Sequence, residues 1–168
     1  MAIETQLVKK LVQIPIFGAL TLGEAAEFFD AATESDVEKG KTLFREGDAS
    51  DSLQVILEGE VLVTRKGVEL ARLGRHAVLG EMSIVDGAPR SATATALGDV
   101  KLLKVPSPRV QGQLKQNNVA ALKVVAHLAG VMGKRLSLIN DKLAEALSHD
   151  KKREELADFS RTLHRWEF

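Results

Sequence analysis

Apolar residues recur every three or four positions at the start of the chain, a spacing that predicts two helices. In residues 2–14 the apolar stripe consists of Ile3, Leu7, Leu11 and Ile14. Pro15 is expected to end this first helix. Thr21, followed three residues later by Glu24, is typical of a capping box and predicts the start of a second, shorter helix. Residues 1–34 are therefore interpreted as an N-terminal helical region.

Between Ser35 and Val105 the pattern changes to short runs of alternating residues that are separated by glycines. The predicted runs lie at 41–44, 54–57, 60–64, 68–71, 92–96 and 100–105. Strands this short and this regularly spaced are typical of an antiparallel barrel or sandwich. The predicted fold is mainly β with helices (α+β), namely an antiparallel β-roll or jelly-roll barrel over residues 35–106.

The region 107–147 is predicted to contain a hinge and one long C-terminal helix. Ser107 with Pro108 predicts a helix start, with Ser107 as the cap, and the following pair of asparagines predicts a break. Two apolar heptad positions then repeat, one occupied by Val125, Met132, Ile139 and Ala146, the other by Ala129, Leu136 and Leu143. Such a repeat is typical of a helix that pairs with another helix, so we expect a homodimer through it. The alternative is packing on its own barrel alone.

Residues 148–168 form a separate predicted segment, an amphipathic tail. Its apolar positions share one helical face and comprise Leu156, Phe159, Leu163 and Trp166. Such a helix either folds back on the body of the protein or presents its aromatic side chains to a protein effector. Binding to a membrane surface is the weaker alternative, because the preceding basic cluster is only Lys151-Lys152-Arg153.

Composition narrows the classes of function. The 168 residues include 23 basic and 23 acidic side chains and no cysteine, which excludes disulfides, thiol chemistry and thiolate zinc sites. No run approaches the roughly 20 apolar residues of a membrane span, and we expect an untargeted cytoplasmic protein. Residues 101–168 carry 13 basic and 7 acidic groups. These basic side chains are dispersed among apolar ones, which favours a solvated helix face over nucleic-acid binding.

The segment 79–93 carries the most chemical information. It places Gly80 and Glu81 at the mouth of a short predicted helix and Arg90 just before a strand. Backbone N–H groups at a helix start and a planar guanidinium both favour a phosphate. A carboxylate accepts hydrogen bonds from two hydroxyls, which indicates a sugar. Phosphate donors beside a sugar acceptor predict a nucleotide pocket; the alternative is a surface ion pair between Glu81 and Arg90.

With its neighbours, this segment resembles the cyclic nucleotide-binding domain family, which regulates bacterial catabolite-activator-type proteins, kinases and gated channels. The resemblance covers roughly residues 12–147. Its markers, in order, are Pro15-Ile-Phe17, Leu43-Phe44-Arg45-Glu46-Gly47-Asp48, Asp51-Ser52-Leu53, Ile56-Leu-Glu-Gly59, Val61-Leu-Val63, Gly80-Glu81-Met82-Ser83 and Pro89-Arg90-Ser91-Ala92-Thr93. The combination in this order and spacing is specific, whereas each short motif alone is not.

The resemblance implies a role for each matching residue, with cAMP or cGMP as the ligand and no cofactor. Glu81 would accept from the ribose 2′-hydroxyl, and Arg90 would pair with the cyclic phosphate. The Ser91 hydroxyl and the backbone N–H groups of Met82 and Ser83, after Gly80, would assist Arg90. The residues expected to line the barrel side of the pocket are Val63, Leu70 and Leu79.

Two departures from the family pattern bear on function. The bacterial activator offers a Thr-Ser pair to the adenine, whereas the aligned positions here are Ile139 and Asn140. The amide of Asn140 can still bind a base, so the choice between cAMP and cGMP stays open. The 21 residues after Leu147 are too few for a winged helix-turn-helix, so no DNA-binding domain is expected.

The expected function is a non-catalytic sensor that signals binding of a cyclic nucleotide to a partner protein. Two alternatives belong to other classes. A metal-dependent barrel enzyme would need converging histidine and carboxylate ligands, yet only His76 of the four histidines lies in the strand region. A structural dimerisation module would keep a silent pocket or take a cyclic dinucleotide.

Overall fold

The computed structural model describes residues 5–85 and 87–149, although the side chains of Ser83, Val85, Arg135, Lys142 and residues 146–149 are not part of the description. The predicted amphipathic tail lies almost wholly outside the described residues. The described residues divide into two compact units, one ending at Leu128 and the other beginning at Ala129. The first unit holds the strands and all helices except the later part of the last one.

In the part of the chain that the structure describes, eight strands form two four-stranded antiparallel sheets. In chain order they are β1 (Thr33–Val37), β2 (Thr42–Phe44), β3 (Ser52–Glu58), β4 (Val61–Arg65), β5 (Val68–Leu73), β6 (Val78–Leu79), β7 (Thr93–Ala96) and β8 (Val100–Pro106). One sheet has the order β1-β8-β3-β6 and the other the order β2-β7-β4-β5. Apart from the β4-β5 hairpin, strands that are neighbours in sequence lie in different sheets, which confirms the predicted antiparallel β-roll.

The two strands that the sequence pattern did not predict have weak signals. Strand β1 contains Glu34, Ser35 and Asp36, and its exposed and half-buried residues do not alternate between apolar and polar. It is held by its backbone, which pairs with β8 from Val37 opposite Val100 to Thr33 opposite Lys104. Strand β6 has two residues, too few for any periodicity.

Among residues 5–85 and 87–149, five α-helices and one 3₁₀ helix accompany the sheets. They are α1 (Thr5–Leu11), the 3₁₀ helix (Pro15–Phe17), α2 (Leu22–Phe28), α3 (Met82–Val85), α4 (Ser107–Lys115) and α5 (Val119–His149). Helix α1 ends at Leu11, before the predicted end at Pro15, and a turn connects it to the 3₁₀ helix. Ser107 is not the cap that the sequence predicted: it is the first helical residue of α4, and Pro106 occupies the capping position.

The apolar core of the first unit has two parts, one on each face of β3. Leu53 and Val55 pack with the helices in a cluster that includes three phenylalanine rings. The ring of Phe29 lies 4.9 Å from that of Phe17 and 5.0 Å from that of Phe28, both edge to face. Ile56 faces the other way, into the cluster between the two sheets. Alternation along β3 thus directs its even-numbered residues into the roll.

Polar contacts fix the helices of the first unit to each other. Thr21 and Glu24 form the predicted capping box: each side chain accepts from the other residue's backbone N–H, at 2.8 and 3.2 Å. Lys123 of α5 donates to both carboxylate oxygens of Glu24, at 2.7 and 2.9 Å. Gln113 of α4 donates to the carbonyl of Glu27 at 3.0 Å. Of the helices in the described ranges, none combines the length and apolar character that a membrane crossing requires.

Candidate functional site

Arg90 lies between α3 and β7, where its backbone joins two loops. Its N–H donates to the carbonyl of Asp48 at 2.8 Å, and its carbonyl accepts from the N–H of Gly47 at 2.8 Å. Three residues later, the Thr93 hydroxyl accepts from the N–H of Glu46 at 3.0 Å. These bonds couple residues that are more than 40 positions apart in sequence, so the loop at 45–48 sets the place from which the arginine side chain starts.

The Arg90 side chain runs into the roll, where only 4% of the residue remains exposed. Its Nη2 donates to the Ser52 carbonyl at 2.9 Å, to the Asp51 carboxylate at 3.2 Å and to the Ser52 hydroxyl at 3.4 Å. Its Cζ lies 4.2 Å from the centre of the Phe44 ring, a cation–π contact. One nitrogen and one face of the guanidinium are therefore held by the protein.

The other two nitrogens of Arg90 are Nε and Nη1. Across the described residues, neither Nε nor Nη1 has a hydrogen-bond acceptor, although both are buried. Burial lowers the pKa of Arg90, and the nearby Asp51 carboxylate opposes that shift. A guanidinium remains charged in proteins all the same. A desolvated cation with two unpartnered donors is costly unless an anion completes its hydrogen bonds.

Asp51 is the ion-pair partner of Arg90 and lies at the mouth of the site, with its side chain 81% exposed. It accepts from the Ser52 hydroxyl at 2.8 Å. That hydrogen bond, followed by the charge of Arg90, lowers the pKa of the Asp51 carboxyl. An exposed carboxylate forms a weak, screened pair, so Asp51 leaves most of the arginine's charge available to a ligand.

Gly80 is the position that makes room for the guanidinium. Its φ is +74°, and a Cβ placed there would lie 1.8 Å from Nη1 of Arg90 and 2.8 Å from the Ser52 carbonyl. Any other residue would therefore displace the arginine and adopt a backbone conformation that L-residues disfavour. Leu79, just before it, is buried between the sheets, and Glu81, just after it, is half-buried.

The structure brings together only part of the predicted site. Val63 is half-buried and packs against the cluster that contains Leu79, whereas Leu70 on β5 is 57% exposed. Ser91 is exposed, and Met82 is half-buried in the first turn of α3. For Ser83, only the backbone is described. Asn140 is an exposed helical residue of the second unit, so its contact with a base stays a prediction.

Sequence reasoning did not assign the residues that hold Arg90 in place. Asp51, Ser52 and Phe44 contact its guanidinium, and Gln54 contacts Ser52. Three of these positions occur among the family markers quoted above, but a marker does not reveal what it touches. The sequence signal that could have found them is a pair of polar residues in a strand of apolar ones: β3 begins with Ser52 and continues with Gln54 between apolar residues.

Two surface cavities of about 350 and 200 Å³ have linings, among the described residues, that do not include Arg90. The larger lies between the ends of β1 and β8, beside Asp36 and Lys101. The smaller lies beside α1 and the turn that carries His76. Within residues 5–85 and 87–149, no group of histidine and carboxylate side chains is suited to a metal ion. The candidate site is therefore identified by the buried arginine and its donors.

Comparison with known proteins places this geometry in a family. A match to the family described as cyclic nucleotide-binding domain covers residues 34–117. The CRP-like cAMP-activated global transcriptional regulator of Mycobacterium tuberculosis is 27% identical over 120 residues, 68% of this chain and 52% of that protein. The cAMP-dependent protein kinase regulatory subunit of Yarrowia lipolytica is 34% identical over 94 residues, 55% of this chain and 25% of that subunit.

This chain thus spans about half or less of the length of these curated relatives. A solved structure adds the fold. The N-terminal domain of a transcriptional regulator from Streptomyces coelicolor A3(2) superposes with a TM-score of 0.63 at 35% identity, over 79% of this chain and 94% of that one. With half of its length matched by the family and the β-roll in place, the chain belongs to the cyclic nucleotide-binding domain family, a family of regulatory domains.

Proposed function

We propose that this protein is a non-catalytic sensor that binds a cyclic mononucleotide, cAMP in the first instance, and passes the binding event to a partner protein. The observation that carries this proposal is the buried guanidinium of Arg90, whose Nε and Nη1 meet no acceptor within the described residues. The cyclic phosphate supplies one negative charge and acceptor oxygens for those two donors. The names of two relatives, which mention cAMP, support the choice of ligand.

The ribose contact falls to Glu81. This carboxylate follows Gly80 directly and contributes to the electrostatic environment of Arg90. An ionised carboxylate accepts hydrogen bonds and does not donate them, so it suits the ribose 2′-hydroxyl and disfavours the phosphate. The same pair of residues therefore orients the ligand: the phosphate lies toward Arg90 and the sugar hydroxyl toward Glu81. Val63 and Leu79 line the roll beside them in this proposal.

Titration calorimetry of the wild-type protein and Arg90→Met with cAMP and cGMP tests the ligand. We expect saturable binding of one mononucleotide by the wild-type protein and a loss of at least tenfold in affinity for the variant. Arg65→Leu is the matched control, because Arg65 is an exposed arginine that pairs with Glu46 at 3.5 Å on the same roll. Equal affinity in wild type and Arg90→Met would refute the role of Arg90.

A homodimer through α5 is the proposed assembly. The part of this helix in the second unit exposes large apolar residues: Leu136, Leu138 and Ile139 are each at least 59% exposed. Burial of such side chains against a second copy would stabilise the pair by the hydrophobic effect. Light scattering after gel filtration should give twice the mass of the chain. Leu136→Glu with Ile139→Glu should give the monomer, whereas Glu substitutions at exposed polar positions of α5 should not.

The second candidate function is a dimerisation module whose pocket is silent or binds a cyclic dinucleotide. The same exposed helix residues favour it, because they would serve a dimer with or without a ligand. A thermal-shift panel of cAMP, cGMP and cyclic dinucleotides separates the two candidates, since a ligand of the native state raises the melting temperature. No shift with any member of the panel would favour the silent module. Cytoplasmic location stays a prediction of the sequence.

A further inference from the structure

Gln54 is a buried polar residue inside the roll that the ligand contacts described above do not use. It is 3% exposed and lies on the central strand β3, where its backbone pairs with Leu79 just before Gly80. Its Nε2 donates to the Ser52 hydroxyl at 3.4 Å. In the part of the chain that the structure describes, its Oε1 meets no donor. A buried amide with one weak hydrogen bond and one unsatisfied oxygen needs an explanation in terms of its neighbours.

The Ser52 hydroxyl fixes which way the Gln54 amide points. A hydroxyl has one proton and two lone pairs. The proton goes to the Asp51 carboxylate at 2.8 Å, and the lone pairs receive Nη2 of Arg90 and Nε2 of Gln54, both at 3.4 Å. If the amide were reversed, its oxygen would face an oxygen that has no proton left to give. The NH₂ group of Gln54 is therefore the only end that suits Ser52.

We propose that Gln54 is a positioning residue for Arg90, and that it must be uncharged for the arginine to bind an anionic ligand. The Gln54 amide holds the Ser52 hydroxyl in place, and that hydroxyl accepts a hydrogen bond from Nη2 of Arg90. With Nη2 fixed in this way, Nε and Nη1 stay available for the anion. This inference rests on the proposed function, because the anion in question is the cyclic phosphate.

Charge explains why position 54 suits an amide and not a carboxylate. In the structure, Arg90 has one ion-pair partner among the described residues, the largely exposed Asp51. A carboxylate at position 54 would be separated from Nη2 only by the Ser52 hydroxyl oxygen, in a buried setting where charges interact strongly. It would also lack the protons that Ser52 accepts. The arginine would then have a second, internal anion, and the ligand phosphate would compete with it.

The experiment compares isosteric and charge-relocating variants by calorimetry with cAMP. Gln54→Glu should bind at least tenfold more weakly than wild type. Gln54→Met, which keeps the length without the amide, should bind about threefold more weakly because Arg90 is less well fixed. In Gln54→Glu with Asp51→Asn the exposed carboxylate is removed but the buried one stays beside Arg90, so the loss of affinity should persist. Gln116→Glu, at the exposed C-cap position that follows α4, is the control for added charge and should bind as wild type does.

The result that overturns the inference is a Gln54→Glu variant that is folded and binds within twofold of wild type, or whose loss of affinity is recovered by removing the exposed carboxylate with Asp51→Asn. If Gln54→Glu does not fold, Gln54→Met decides the positioning claim, and unchanged affinity overturns it. If the wild-type protein binds no nucleotide, the proposed function fails. The contact between Gln54 and Arg90 is then tested without ligand, by a double-mutant cycle of melting temperatures. Melting-temperature changes of Gln54→Met and Arg90→Met that add in the double variant overturn the inference, whereas non-additive changes support it.

Discussion

Replacement of Arg90 by methionine tests whether this arginine serves ligand binding or the stability of the fold. Methionine fills the space of the arginine stem without the guanidinium. The variant loses the charge-assisted bond to the Ser52 carbonyl, at 2.9 Å in the structure, which contributes about 1.5–3 kcal/mol. It also loses the contact with the Phe44 ring, which contributes about 0.5–2 kcal/mol. The pair with Asp51 adds little, roughly 0–1 kcal/mol, because that carboxylate is exposed.

The same substitution removes a penalty of similar size. Nε and Nη1 of Arg90 are buried without an acceptor among residues 5–85 and 87–149. Each such donor destabilises the unliganded protein by about 1–3 kcal/mol. Loss and relief therefore nearly cancel, and the net change in the free energy of unfolding should stay within about 2 kcal/mol. For a chain of this size that is a shift in melting temperature of roughly 4–8 °C at most, in either direction.

Affinity should respond very differently from stability. Two charge-assisted hydrogen bonds to a phosphate contribute about 3 kcal/mol or more, so Arg90→Met should bind the cyclic nucleotide roughly a hundredfold more weakly. Arg90→Lys, which keeps the charge without the planar fork, should fall between the two proteins. Differential scanning fluorimetry without ligand and calorimetry with ligand measure both quantities on the same samples. A fall in melting temperature well beyond 8 °C together with unchanged affinity would refute the reasoning and assign Arg90 to a structural ion pair.

Three further predictions test the surroundings of the arginine and the helices. Gly80→Ala should weaken nucleotide binding about as much as Arg90→Met, because its Cβ would occupy the position of Nη1. The control is Gly87→Ala, which carries similar backbone strain at φ +65° but has open space around it, and it should bind normally in the same titration. Folding lowers the pKa of Asp51, so the contribution of this carboxylate to stability is present above its unfolded pKa of about 4 and is lost as the pH falls through the lower folded value. Urea unfolding measured from pH 5 to 2 should therefore show a smaller loss of stability with falling pH in Asp51→Asn than in the wild type. Thr21→Ala should cost about 1 kcal/mol of unfolding free energy in the same assay at neutral pH, since it removes the hydroxyl that caps α2, and an unchanged midpoint would contradict the capping assignment.

The sequence predicted those parts of the fold that have a periodic signal. The strands of the roll from β2 to β5, β7 and β8 alternate strongly enough to be recognised, and the capping box located the start of α2. Strand β1 was missed because Thr33–Val37 is a polar edge strand that its neighbour holds through backbone bonds. Strand β6 was missed because it has two residues. Local patterns report burial along several residues, and β1 has no buried residue while β6 has a single one, Leu79.

The candidate site divides in the same way. Gly80 and Arg90 could be selected from sequence, since both lie in one short segment whose spacing is informative. The groups that hold the guanidinium could not, because Asp51 and Ser52 are 39 and 38 positions away and meet it only once β3 and the segment 79–93 are folded together. Phe44 is a further case, since its apolar side chain predicts a core position and not a contact with a cation.

The packing around Arg90 explains how one residue can be both buried and poised for a ligand. The protein satisfies a single nitrogen, Nη2, with three acceptors on β3 and its preceding loop, and covers one face with an aromatic ring. That arrangement fixes the orientation of the guanidinium before any ligand arrives, so less side-chain entropy is lost on binding. The cost is two desolvated donors that are unsatisfied within the described chain. A phosphate that accepts from these two donors forms stronger hydrogen bonds because the site is buried. The same unsatisfied donors that destabilise the unliganded protein therefore increase its affinity for an anion of the right shape.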